Sequence, residues 1–79
     1  MNTYVGIDIA KAELVAHALP QEQQRSFANS AVGLTELLFW LQEIGSTRVV
    51  FEATGGYERP LLQVLFEAGL AAGRLSAHR

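Results

Sequence analysis

The chain has 79 residues, 49% apolar and 18% charged, with a formal charge of −2. This composition describes one small packed domain, near the size where a single core only just outweighs chain entropy, and excludes a charge-rich disordered segment. The acidic balance leaves no basic footprint for nucleic acid, so any such contact must come from local groups or further sequence, and the absence of cysteine excludes disulfides, thiolate zinc sites and thiol catalysis.

Tyr4 to Ile9 alternates as a strand, with Val5, Ile7 and Ile9 on one face and Tyr4, Gly6 and Asp8 on the other. Glu13 to Leu19 is a second apolar run, and the intervening Ala10-Lys11-Ala12 suits an antiparallel hairpin. Pro20-Gln21-Glu22 makes the next turn, and the more polar Gln23 to Ala28, with Phe27 its one large apolar residue, fits a third strand at the sheet edge. From Ser30 the period becomes helical: Leu34, Leu37, Leu38, Leu41 and Ile44 form a stripe, with Asn29 or Ser30 as N-cap and Gly45 as the stop. Phe39 points away from that stripe and Trp40 sits at its edge, so the pair is expected to mark a dimer or interdomain surface.

Arg48 to Ala53 reads as a buried parallel strand entered after a crossover helix. Thr54-Gly55-Gly56 turns into a second helix, with Leu61, Leu62, Val64, Leu65 and Ala68 inward, Arg59, Gln63 and Glu67 in water, Pro60 in the first turn and Gly69 as C-cap. Ala71 to Leu75 is a fifth strand. No apolar run reaches membrane-spanning length, and Met1-Asn2-Thr3 lacks the features of a secretion signal, which together with the missing cysteines fits a cytoplasmic protein with no membrane partner.

Three strands, a helix, a strand, a helix and a strand make an α/β mixed sheet: an antiparallel meander followed by right-handed parallel crossovers, order 3-2-1-4-5. This is the ribonuclease H-like pattern, here one incomplete domain over residues 1–79. With the fourth strand beside the first, growth of the sheet reverses at that pair, and ligands favour the carboxyl ends of strands at such a switch point. Asp8 and Glu52 both fall there. Two carboxylates on neighbouring strand ends repel each other and persist ionised when a cation lies between them. Mg²⁺ or Mn²⁺ suits such hard oxygen donors and would serve an in-line displacement at a nucleic-acid phosphodiester.

The segments Gly6-Ile7-Asp8-Ile9-Ala10-Lys11 and Phe51-Glu52-Ala53-Thr54-Gly55-Gly56-Tyr57 resemble the two opening signatures of the RuvC-like, DEDD-type insertion-sequence transposases, the group that includes the Piv invertase. The match spans roughly residues 3 to 70. The resemblance implies that Asp8 and Glu52 are the first Asp and the Glu of a four-carboxylate catalytic and metal site. It also implies DNA as substrate, a further domain with a catalytic serine and, in some members, a guide RNA. Asp8 is the only Asp in the sequence, so the quartet's two later aspartates are absent, and the chain is expected to be C-terminally truncated and inactive alone.

Other residues carry milder expectations. Lys11 is divided between a phosphate contact and a solvated hairpin lysine; Thr54 and the two glycines shape a turn whose N–H groups face an anion in the functional reading. Tyr57 is expected to pack at the start of the second helix, Glu58 is an added ligand by proximity alone, and His17 is expected to be a packed strand residue, with His78 in the tail. Two further functions compete with a recombinase segment: an assembly module pairing through Phe39 and the first helix into a homo-oligomer, and an actin-like ATPase fragment built on the Gly6-x-Asp8 strand.

Overall fold

A computed structural model describes residues 3–52, 55–70 and 72–75. Ala53, Thr54, Ala71 and the tail that carries His78 lie outside these described residues. Strands β1 (Thr3–Ile9), β2 (Glu13–Leu19) and β3 (Gln23–Ala28) are followed by helix α1 (Ala31–Glu43), strand β4 (Ser46–Glu52), helix α2 (Arg59–Glu67) and strand β5 (Ala72–Leu75). They form one sheet of order β3-β2-β1-β4-β5. β1–β2 and β2–β3 are antiparallel, while β1–β4 and β4–β5 are parallel. The meander, the crossovers and the strand order agree with the sequence reading, and the architecture is a ribonuclease H-like α/β fold.

The register places the buried apolar strand residues on one face. Val5 and Ile7 pair with Ala18 and Ala16 of β2 and with Val49 and Phe51 of β4, and Leu14 pairs with Phe27 of β3. These eight residues are buried together with Leu34, Leu37, Trp40 and Leu41 of α1 and Leu61 and Leu65 of α2 in a single core. Topology explains why both helices lie on that face. The crossovers β3–α1–β4 and β4–α2–β5 travel in the same direction across the sheet, and two right-handed crossovers in one direction lay their helices on the same side. The opposite face keeps Tyr4, Asp8 and His17 exposed and Gly6, Val15 and Val50 half-buried.

Local chemistry fixes the helix ends. Ser30, not Asn29, is the N-cap of α1: its Oγ accepts from the Gly33 N–H at 3.2 Å. Gly33 has to be glycine, because a Cβ there would stand 2.6 Å from the carbonyl carbon of Ala28 and 2.8 Å from its nitrogen. Gly45 takes the left-handed conformation (φ 71°) that ends α1. At the far end of α2, the Leu70 N–H reaches the Leu65 carbonyl at 3.0 Å around Gly69.

Trp40 departs from the sequence expectation. It is 4% exposed, tilted against Phe27 with ring centroids 5.8 Å apart. The stripe of α1 is wide enough to reach the edge strand, and Trp40 fills the gap where β3 presents only one large side chain. Phe39 is exposed as expected, and Phe66 on α2 is more so, at 85%. Among the described residues no helix is long and apolar enough to cross a membrane.

Candidate functional site

β1 and β4 run parallel with Gly6 opposite Val50 and Ile7 opposite Phe51. One further residue along this register brings Asp8 beside Glu52, on strands whose axes lie about 4.8 Å apart. Both side chains are exposed, because their parity is opposite to that of the core residues Val5, Ile7, Val49 and Phe51. They line one shallow cleft of about 220 Å³ on the open face, with Gly6 and Val50 among its other lining residues. The structure thus puts the two sequence-predicted carboxylates in one place, at the strand ends where sheet growth reverses.

His17, like Trp40, differs from the sequence expectation. It is not packed in the core: β2 buries Leu14, Ala16 and Ala18, so His17 falls on the open face, opposite Gly6. Its side chain is 46% exposed and its Nε2 lies 3.4 Å from Oδ2 of Asp8, whose side chain is 84% exposed. The signal was present in the hairpin, since the pairing of Ile9 with Leu14 across the short turn sets Gly6 against His17. Among the described residues, no group of three His, Asp or Glu side chains already converges on a point where an ion would sit. The donor set is a carboxylate–imidazole pair with a second carboxylate across the cleft.

The loops behind this site are tied together by Asn29. Its Nδ2 donates to the Ala10 carbonyl at 3.0 Å and to the Tyr57 carbonyl at 3.2 Å, linking the hairpin after β1 to the turn after β4. Its Oδ1 is buried with no partner among the described residues. The turn itself needs glycine twice, at φ 84° for Gly55 and 130° for Gly56. Glu58 is buried and its Oε1 accepts from the Gly56 N–H at 3.1 Å, so this carboxylate closes the turn rather than joining the cleft. Tyr57 is 47% exposed instead of packed, and its backbone carbonyl is the group that Asn29 holds. Lys11 is exposed in the hairpin.

Comparison with known proteins bears on the family and the fold. A family model for transposases, DEDD_Tnp_IS110, matches residues 5–76. A search of curated proteins finds no significant match. Among solved structures, the fold is similar to Thermus thermophilus RuvC in complex with a Holliday junction substrate, with TM-score 0.68 and 15% identity over 98% of this chain and 66% of that one. A second Thermus thermophilus RuvC structure gives 0.66 and 19% over 94% of this chain and 61% of RuvC. The chain therefore spans less than two thirds of the length of these relatives. An Aquifex aeolicus Ppx/GppA phosphatase is also similar, at 0.51 and 12% identity, over 98% of this chain and 36% of the phosphatase. Likeness at these identities speaks for the fold, and a fold of this kind carries more than one chemistry.

Proposed function

Because the chain belongs to the DEDD_Tnp_IS110 transposase family, we propose that it supplies the Asp8–Glu52 half of a divalent-metal site in a DNA transposase that works by phosphodiester strand exchange. The observation that carries this reading is the cleft itself: the two carboxylates line it together, on adjacent strand ends, on the face that both helices leave uncovered. The donor chemistry fits Mg²⁺ or Mn²⁺, which take carboxylate oxygen and retain several waters. Asp8 and Glu52 would hold the ion, which when bound would neutralise charge on a phosphodiester. The chain's own part is to present both carboxylates unburied and to fix the strand ends through the Asn29 tie.

DNA is the partner this reading requires, and residues 1–79 are read as a single unit that is inactive alone, since a four-carboxylate site has two further ligands and Asp8 is the only Asp present. The test is a titration of the chain with Mn²⁺ followed by nuclear magnetic resonance. Signals around Asp8 and Glu52 broaden first in the wild type, much less in Glu52→Gln and not at all in Asp8→Asn. Uniform broadening, or none near either residue, removes the metal site.

Pairing of two copies through α1 is a second element of the proposal, supported by Val32 and Phe39, one heptad apart on that helix and 70% and 68% exposed.

A further inference from the structure

We propose that His17 is a nitrogen ligand that joins Asp8 on the same cation and shifts the site's preference from Mg²⁺ toward Mn²⁺ and Co²⁺. The inference rests on the metal-site reading above and adds a donor that the two acidic signatures do not contain. It begins with a distance. Nε2 of His17 and Oδ2 of Asp8 are 3.4 Å apart, longer than the roughly 2.7–3.2 Å of a well-made N–H···O bond. Two donors that each stand about 2.0–2.2 Å from a shared ion are separated by about 3.0 Å in octahedral and 3.4 Å in tetrahedral geometry. The observed separation falls at the upper end of that span.

The surroundings leave room for an ion. His17 is paired with Gly6, and a Cβ built on Gly6 meets no atom within 4 Å. The space above the β1 backbone is thus open, bounded by His17, Asp8, Val50 and Glu52. Any larger residue at position 6 would project into that space. Since three donors do not converge beforehand, the Asp8–His17 pair is the part already in place. Glu52 would have to turn toward that pair, and with water would then complete the shell from the β4 side. Imidazole nitrogen is a poor donor for Mg²⁺ and a good one for later first-row ions, so its presence sets the choice of metal.

The experiment is calorimetric titration of the chain with Mg²⁺, Mn²⁺ and Co²⁺, for the wild type, His17→Gln and Asp8→Asn, together with proton spectra of the Co²⁺-loaded chain. His17→Gln is expected to weaken Co²⁺ and Mn²⁺ binding by about tenfold or more while leaving Mg²⁺ within about twofold. The wild-type Co²⁺ spectrum is expected to show paramagnetically shifted imidazole resonances that vanish in His17→Gln. If His17→Gln binds all three ions as the wild type does, or loses them in equal proportion, or if no shifted imidazole resonance appears, His17 is not a ligand, while a metal site that still depends on Asp8 stands. If the wild type binds none of the three ions, the inference and the reading beneath it fall together.

Discussion

Gly33→Ala separates two physical effects of opposite sign. Gly33 is the third residue of α1, and glycine-to-alanine replacement in a helix normally stabilises by about 1 kcal/mol. Here the added methyl would overlap the Ala28 carbonyl oxygen and stand 2.6 and 2.8 Å from the carbon and nitrogen of the same residue. Those are backbone atoms at the end of β3, which cannot swing aside as a side-chain tip would. Relief requires moving α1 or the Ala28–Ser30 segment by about an ångström, and overpacking of this kind costs about 1–3 kcal/mol. The same movement disturbs the Ser30 cap, worth about 1 kcal/mol, and the two Asn29 hydrogen bonds, worth about 1 kcal/mol each. Against the propensity gain the net loss is about 3–5 kcal/mol. A domain of this size has a total stability of about 4–12 kcal/mol and loses about 4–8 °C per kcal/mol, so the melting temperature falls by at least about 12 °C. Thermal melts by circular dichroism measure it, with Thr35→Ala on the exposed face of α1 as the control that gains or holds stability. A Gly33→Ala chain that melts at or above the wild-type temperature refutes the close approach of α1 to β3.

Three further outcomes follow from the same contacts. Asn29→Asp, an isosteric change, turns a donor amide into an acceptor facing the Ala10 and Tyr57 carbonyls; it should cost about 2–3 kcal/mol in urea melts and speed amide exchange in residues 55–58, and an unchanged midpoint would show that the tie adds nothing to stability. Phe39→Glu should leave thermal stability within about 0.5 kcal/mol, as expected of a surface position, yet abolish self-association of the wild type in sedimentation equilibrium. A wild-type chain that stays monomeric at high concentration removes pairing through α1. The metal titration with Asp8→Asn and Glu52→Gln should show the larger loss at Asp8, which has His17 beside it as well as Glu52 across the cleft.

Much of this fold was readable because its signals are periodic. Alternation placed β1 and β2, the helical stripe placed α1, and Ser30, Gly45, Pro60 and Gly69 marked the helix ends. The place of β4 beside β1 came from the ribonuclease H-like pattern that the element order matches, not from periodicity, and the observed strand order has it there. The misreadings share a cause: they concern residues whose setting depends on a neighbour in another element. His17 looked packed because the core face of β2 is built mostly from small alanines, which made the two faces hard to tell apart in composition; only the hairpin register settles which is which. Trp40 looked peripheral because the width of the buried stripe depends on Phe27 reaching it from β3. Asn29 and Gly33 carry no periodic signal, since one bridges two loops and the other marks where a helix meets a strand end.

The same topology that builds the core also determines where charge can stand. Both crossovers move one way across the sheet, so α1 and α2 cover one face and leave the other to solvent. A carboxylate with the parity of Val5 or Ile7 would lie under the helices, where a charge without a partner costs several kcal/mol. Asp8 and Glu52 have the other parity, so two like charges occupy adjacent strand ends with water still available to both. A chain this close to the lower limit of stable size has little margin for buried charge. It can nevertheless hold an acidic pair whose mutual repulsion an incoming cation would relieve. On this account the open face is the condition for the proposed site: the fold tolerates the pair because it is exposed, and the exposure is what would leave the pair, with His17 beside it, accessible to the proposed metal ion and phosphodiester.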